Sequence, residues 1–485
     1  MPAKSIKKNA VFNVIKTLMS MIFPLITFPY ASRILLPEGI GKVNFANSIV
    51  SYFSLLAGLG IGTYGIREAA KVRNDKIKLN KLVTELLLIN LISTVVSYIL
   101  FFISIVFVPK FFEYRALLLI SGTTIIFSTI GINWLYQALE EYQFIAVRSV
   151  LFQALSIVFL FVFVHTKDDI VLYTGMGVFA SVGSNICNLI HSRKYYKFSL
   201  SKDLNLGKHI KPIMILFGSS LAISVFTIMD TSMLGFLSTN TEVGYYSAAT
   251  KIIRIIRDLF PAVFLVMFAK LSITNSEGNT EVFNASVNKM LNFILCFALP
   301  IIAGLLLLRN SIIIVLSGTE YIPAIRSMCI MTPVILFSSW AGFLGGTVLN
   351  STGKEKIYLY CTIAGACINL TLNATLIPSQ GSFGASFATV VTEFFLALIY
   401  TILCRNNIKK KFLFKNLSQY IIGVAVMFVS LFFLGKIIDS LYLEIILFPI
   451  IGAVIYAVML LIQKNILACE IIETLKKKIL KNRQK

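Results

Sequence analysis

Hydrophobic residues fall into about fourteen long blocks that fill the chain almost from end to end, with short polar connections between them. The blocks run roughly over 11–35, 43–66, 82–108, 114–138, 143–164, 169–191, 211–235, 243–268, 289–308, 324–349, 357–377, 382–404, 418–436 and 443–463. Each is close to the roughly 20 residues that carry a helix across the hydrocarbon of a bilayer. The pattern predicts an all-α integral membrane protein of about fourteen transmembrane helices. One block breaks the pattern. The stretch VGYYSAATKIIRIIRDLFPAVFLVMFAKL is apolar enough to span, yet it holds Lys251, Arg254, Arg257 and Asp258. On one continuous helix these four fall within about 120° of a single face. Ile252, Ile255, Ile256 and Leu259 take the opposite face. A charge at mid-bilayer costs roughly 2.5–3.5 kcal/mol, and membrane proteins keep such charges where they line a wet cavity or pair internally. The pattern therefore predicts a polar, net cationic cavity inside the bundle.

Composition supports the membrane reading. Hydrophobic residues make up 57% of the chain and charged residues 14%, against about 25% charged in soluble domains. The mean hydropathy is +0.83. A net charge of +22 would suit nucleic acid, but its distribution points elsewhere. Alternate connections carry about 31 Lys and Arg on the side of the N-terminus and about 6 on the other. The rich side holds Lys4, Lys7 and Lys8, the loops 67–81, 192–211 and 404–415, and the tail ending LKKKILKNRQK. The positive-inside rule places that side, and with an even span count both termini, in the cytoplasm. Anionic lipid then accounts for the basic residues, and nucleic acid is not an expected partner. The N-terminal block carries Lys16 and Arg33 and has no small-residue cleavage pattern, so it reads as the first mature helix.

Catalytic and metal chemistry find no footing. Seven cysteines are present with no CxxC pair, and the three histidines lie at or beyond block ends. Walker A, GxGxxG and GxSxG motifs are absent. No catalytic residue, metal or organic cofactor is expected, and the chain reads as a non-enzyme.

Transport chemistry does find residues. Lys251, Arg254 and Arg257 are the best phosphate ligands, since the guanidinium fork fits phosphate oxygens. The competing reading is an Arg254–Asp258 ion pair that only fixes packing. Lys16 lies about two turns inside the first block, where it either snorkels or lines the cavity. Arg33 favours snorkelling, and Arg148 in the fifth block divides evenly between the two. Asp230 and Glu393 are acids inside apolar blocks. Each could take part in proton or sodium coupling, or pair with the cations of the eighth block. The amides Asn44 and Asn47 share a helix face, as do Asn133 and Gln137, and Asn369 and Asn373. Amides suit sugar hydroxyls, although helix–helix hydrogen bonding is the plainer role for any one of them.

A weak internal repeat relates residues 33–46 to residues 233–248, with Gly41 and Gly244 opening comparable helices. It predicts two pseudo-symmetric six-helix lobes of parallel orientation around a central cavity. The boundaries are 1–210 for the N-terminal lobe (helices 1–6) and 211–404 for the C-terminal lobe (helices 7–12). Helices 13 and 14 and a basic tail occupy 405–485. Pro24 and Pro29 should bend the first helix.

Three segments carry a family resemblance. FPYASRILLPEGIGKVNFANSIVSYFSLLAGLGIGTYGIREAAKVR (28–73), WLYQALEEYQFIAVRS (134–149) and VLNSTGKEKIYLYCTIAGACINLTLNATLIPSQGSFGASFAT (348–389) occur in that order. Together they resemble polysaccharide repeat-unit flippases of the multidrug/oligosaccharidyl-lipid/polysaccharide exporter superfamily, over essentially the whole chain. The resemblance implies fourteen helices in two lobes around a V-shaped cavity. It implies movement of undecaprenyl-diphosphate-linked oligosaccharide units (O-antigen, capsule or a related surface polysaccharide) from the inner to the outer leaflet by alternating access. It further implies that Lys16, Lys251, Arg254 and Arg257 hold the diphosphate, in a bacterial cytoplasmic membrane. The implied partners are the lipid-linked oligosaccharide, membrane lipids, and polysaccharide-assembly proteins such as a polymerase. A lipid II or teichoic-acid precursor flippase shares the mechanism. A drug exporter of organic cations would want an acidic cavity, whereas the eighth block is basic. A membrane-embedded glycosyltransferase or polymerase would want a large loop with paired acids, and every loop here is short.

Overall fold

The structure, a computed structural model, describes residues 6–198, 203–470 and 473. Lys4, the residues around Ser201 and the basic tail beyond 473 lie outside the described residues. Helices account for all regular structure among the described residues, with no strand. The chain divides into two compact units, residues 1–247 and 248–485.

The first unit contains α1 (Ile6–Gly58), α2 (Ile61–Val72), α3 (Lys76–Phe107), α4 (Pro109–Glu113), α5 (Arg115–Ile130), α6 (Asn133–Ala138), α7 (Tyr142–Phe163), α8 (Ile170–Ser192), α9 (Gly207–Leu237) and the first half of α10 (Asn240–Arg257). As a straight rod the 53 residues of α1 would measure about 80 Å, far more than the roughly 30 Å of bilayer hydrocarbon. The rod is broken at Leu36, whose φ of 59° and ψ of 173° are not helical. Pro37 explains the position: it disfavours helical geometry at the preceding residue and has no N–H for the Arg33 carbonyl. Arg33 itself donates from Nη1 to the Pro29 carbonyl at 2.6 Å.

Within this unit α1 packs on α3, α5, α7 and α9, and α8 packs on α5 and α7. One core joins Phe45, Ile49 and Val50 of α1 to Phe101 of α3 and to Tyr114, Leu118 and Ile125 around α5. A second joins α2, α3 and α6 through Tyr64, Leu79, Leu82, Trp134 and Leu135. The Asp75 carboxylate caps α3 by accepting from the N–H groups of Ile77 and Lys78. Those hydrogen bonds, Lys78 first, hold its carboxyl below the usual range. The opposite face of α3 exposes Ile92, Val95, Val96, Ile99, Leu100 and Ile103. An apolar stripe of that extent belongs in lipid rather than water.

Two glycines set the α1–α10 approach. A Cβ on Gly41 would sit 1.7 Å from the Asn240 carbonyl oxygen, and one on Gly244 would sit 2.1 Å from the Pro37 carbonyl oxygen. These glycines open the two helices matched by the internal repeat, and they meet each other: the Gly41 Cβ would lie 3.1 Å from the Gly244 nitrogen. Gly41→Ala is expected to lower stability by about 1–3 kcal/mol through overpacking. Gly58→Ala, where a Cβ meets nothing within 4 Å, should not. Thermal unfolding of the two variants in the same detergent distinguishes them; equal melting temperatures would contradict the close approach.

The second unit contains α11 (Phe260–Ser276), α12 (Thr280–Leu307), α13 (Arg309–Ser317), α14 (Ala324–Met331), α15 (Val334–Ala341), a π-helical stretch (Gly342–Leu349), α16 (Glu355–Leu403), α17 (Lys410–Leu434) and α18 (Leu441–Ile462). The 49-residue α16 is broken at Gly381, with φ 54° and ψ −131°, a conformation reserved largely for glycine. Here α12 packs on α17, α14 and α15 on α16, and α17 on α18. Nine helical stretches among the described residues are long and apolar enough to cross a membrane. Two of these, 11–72 and 355–403, each contain one of the breaks.

The first unit extends past residue 210, where the repeat divides the chain, because α9 packs on α1.

Candidate functional site

The eighth apolar block does not form one helix. Pro261 has no N–H to give the Arg257 carbonyl, so α10 stops at Arg257, Asp258 and Leu259 form a turn, and α11 starts at Phe260. The Asp258 N–H still bonds the Arg254 carbonyl at 2.9 Å, so its backbone continues the helical course. Its carboxylate does not pair with Arg254. Instead its Oδ1 accepts from Nε and Nη2 of Arg257, both at 3.1 Å. With Asp258 54% exposed, this is a surface pair worth about 0–1 kcal/mol. Lys251 and Arg257 are half-buried and Arg254 is exposed. Three cations and one carboxylate leave residues 251–258 net positive, and the Arg254 guanidinium is accessible to an anion.

The remaining predicted residues fall in separate places. Lys16 is half-buried on α1. Asp230 on α9 is 4% exposed and accepts a 2.5 Å hydrogen bond from the Tyr246 hydroxyl. Glu393 on α16 is 6% exposed. Asn369 and Asn373 are buried and bonded to each other at 2.9 Å. Asn133 and Gln137 share the short α6, but only Asn133 joins a network.

That network surrounds Arg148, which neither snorkels nor reaches solvent. It is 6% exposed and donates to the Ser184 carbonyl at 2.9 Å and to Asn133 Oδ1 at 3.0 Å. Asn188 Nδ2 shares the same Asn133 oxygen at 2.8 Å, and Asn133 Nδ2 donates to Asn185 Oδ1 at 3.0 Å. No carboxylate pairs with Arg148 among the described residues. An arginine inside an apolar block, with four amides in nearby blocks, was the available signal.

Asn44 and Asn47 lie elsewhere, in the wall of a chamber of about 260 Å³ inside the first unit. Thr27, Thr124, Ser156, Tyr173 and Thr174 add further polar groups to the wall, and Phe23, Val43 and Leu160 are among its apolar ones. Nothing in the sequence marks Thr27, Thr124 and Thr174, since each donates to a carbonyl of its own helix as a packing hydroxyl does. In the second unit, α12, α17 and α18 enclose a cavity of about 480 Å³ with an almost wholly hydrocarbon lining, including Phe297, Leu431, Phe448 and Leu460.

A third buried cluster was not foreseen. Glu85 on α3 is fully buried, accepting from Lys208 Nζ at 2.8 Å and from the Asn205 N–H at 2.8 Å, with His209 Nε2 2.9 Å away. The other nitrogen of His209 meets the Tyr64 hydroxyl at 2.7 Å. Sequence gives no signal for a partner some 120 positions distant.

Known proteins place this architecture. The fold is shared with a lipid II flippase, MurJ, in an inward closed conformation, at a TM-score of 0.75 and 17% identity, covering 94% of this chain and 100% of that one. It is shared also with an inward-facing multidrug-resistance transporter of the MOP superfamily, at a TM-score of 0.63 and 15% identity, covering 82% and 97%. The chain is thus a multi-pass membrane protein with the all-α fold of MOP-superfamily transporters. Residues 6–268, more than half of its length, match the polysaccharide biosynthesis protein family, and the chain belongs to that family, among the repeat-unit flippases of the superfamily. An Escherichia coli (strain K12) protein whose name gives it as an O-antigen transporter is 24% identical over 411 residues, covering 83% of this chain and 97% of that protein. The capsular polysaccharide biosynthesis protein CapF of Staphylococcus aureus is 23% identical over 405 residues, covering 81% and 98%.

Proposed function

We propose that the chain flips undecaprenyl-diphosphate-linked oligosaccharide repeat units, for O-antigen, capsule or a related surface polysaccharide, from the inner to the outer leaflet by alternating access. Family membership supports the substrate class. The observation that carries the proposal at residue level is the cationic segment of α10, because a diphosphate needs accessible cations and Arg254 and Arg257 provide guanidinium forks. Lys251 and Lys16 are proposed as further diphosphate ligands. The hydrocarbon-lined cavity of the second unit offers apolar surface to a polyprenyl chain. Fourteen crossings, and the repeat-based lobes 1–210 and 211–404 with 405–485 appended, are part of the same reading. Lipid II or a teichoic-acid precursor is the alternative cargo, with the same phosphate chemistry; the relatives named for O-antigen and capsule favour the repeat unit. Cells lacking the chain should accumulate lipid-linked repeat units on the inner leaflet and lose surface polysaccharide; normal polysaccharide in such cells would contradict the proposal.

The Lys and Arg asymmetry supports a cytoplasmic membrane location with both termini and the 192–211 loop cytoplasmic. Ser201 lies outside the described residues, but its side of the membrane is testable. In a variant without native cysteines, Ser201→Cys should resist an impermeant thiol reagent in intact cells and react after permeabilisation. Labelling from outside would invert the topology.

Asp230 and Glu393 are the proposed coupling groups if transport uses a proton or sodium gradient, since buried carboxyls respond to both. Asp230→Asn and Glu393→Gln keep the shape and remove the charge. At least one should lose gradient-driven accumulation in reconstituted vesicles while retaining expression. Wild-type gradient dependence in both would remove both from the coupling mechanism.

A further inference from the structure

None of the proposed diphosphate ligands lines the 260 Å³ chamber of the first unit. Its wall has a different chemistry. Each asparagine uses one end of its amide on the protein: Asn47 Oδ1 accepts from Ser121 at 2.9 Å, and Asn44 Nδ2 donates to Ser247 at 2.9 Å. The other ends, one NH₂ and one carbonyl oxygen, are left for an occupant. The threonine hydroxyls have given their protons to backbone carbonyls and keep lone pairs as acceptors. The Tyr173 hydroxyl has no hydrogen-bond partner among the described residues. Donors and acceptors are thus interspersed, with apolar surface from Phe23 and Leu160 between them.

Charge narrows the occupant. Among the described residues no carboxylate, Lys or Arg lines the chamber, so a bound cation or a carried proton would have no counter-charge, and a phosphate would have none either. The volume lies just below the roughly 300–1,000 Å³ of typical small-molecule pockets, enough for one ring and too little for an oligosaccharide. An uncharged ring with many hydroxyls matches both the mixed polar wall and the apolar patches.

We propose that this chamber is a sugar subsite, receiving one uncharged sugar residue of the carried oligosaccharide. The inference rests on the flippase reading and adds a specificity element separate from the cations. It predicts that free saccharide, without lipid or diphosphate, binds here. Gly177 lines the chamber, and a Cβ there meets nothing within 4 Å. Gly177→Phe should therefore block the space without disturbing packing. Tyr173→Phe removes one hydroxyl and nothing else.

The probe is the repeat-unit oligosaccharide of the producing cell, cleaved from its lipid diphosphate, titrated calorimetrically into the purified chain. Wild type should bind it. Tyr173→Phe should weaken binding about five-fold, the worth of one hydrogen bond, and Gly177→Phe by at least about ten-fold, with melting temperatures unchanged. No binding by wild type, or binding at wild-type strength by both chamber variants, overturns the subsite. Should Gly177→Phe fail to fold, Tyr173→Phe decides. Failure of the flippase reading shows separately, as wild type that binds saccharide but does not move the lipid-linked form in vesicles.

Discussion

Glu85→Ala is expected to cost about 1–3 kcal/mol of stability, since it leaves the buried His209 ring without its partner. The carboxylate is fully buried and serves three partners at once: Lys208, His209 and the Asn205 N–H. Lys208 is 46% exposed and can turn to water. His209 is 3% exposed and held on its other side by Tyr64, so it has no such escape. The cluster pins residues 205–209, the entry to α9, against α2 and α3. Its loss should therefore loosen the connection between α8 and α9 as well as lower the melting temperature. Glu85→Gln, which keeps an acceptor and the shape, should fall between wild type and Ala. Thermal unfolding in detergent measures this, and a Glu85→Ala protein melting with wild type would show that the cluster contributes nothing.

The Arg254→Ala, Arg257→Ala double variant is expected to abolish surface polysaccharide while the protein still accumulates in the membrane. Each guanidinium–phosphate contact is worth about 1.5–3 kcal/mol as a charge-assisted hydrogen bond. Losing both should weaken diphosphate binding by about 10²–10⁴. Folding should be spared, because Arg254 is exposed and the Arg257–Asp258 pair sits at the surface. Arg→Lys at either position keeps the charge and loses the fork, so partial export should remain. Normal polysaccharide from the double Ala variant would assign these arginines to packing.

Apolar blocks and basic connections made the membrane class legible in the sequence, because lipid imposes length and composition on every crossing. The family was legible from three ordered segments. Local backbone chemistry was read less well. Pro261 is visible in the sequence, yet hydropathy runs through the eighth block without a break, and the spacing does not show that Asp258 pairs with Arg257 and not with Arg254. Leu36 and Gly381 mark breaks at which hydropathy barely changes. Long-range polar pairing was illegible for a different reason. Arg148 with Asn133, and Glu85 with His209, depend on which helices meet, and helix periodicity carries no record of a partner. Asn44 and Asn47 share a face and line the chamber, while Asn133, an equally good amide by that rule, holds Arg148.

The cations of α10 are proposed to let this chain carry a lipid diphosphate across the bilayer. Purified protein in vesicles, with a fluorescent polyprenyl-diphosphate-linked oligosaccharide in one leaflet, tests it directly through the fraction reaching the other leaflet. Wild type should transfer it, and the Arg254→Ala, Arg257→Ala variant should transfer none above protein-free vesicles. No transfer by wild type, or equal transfer by both proteins, would contradict the proposal.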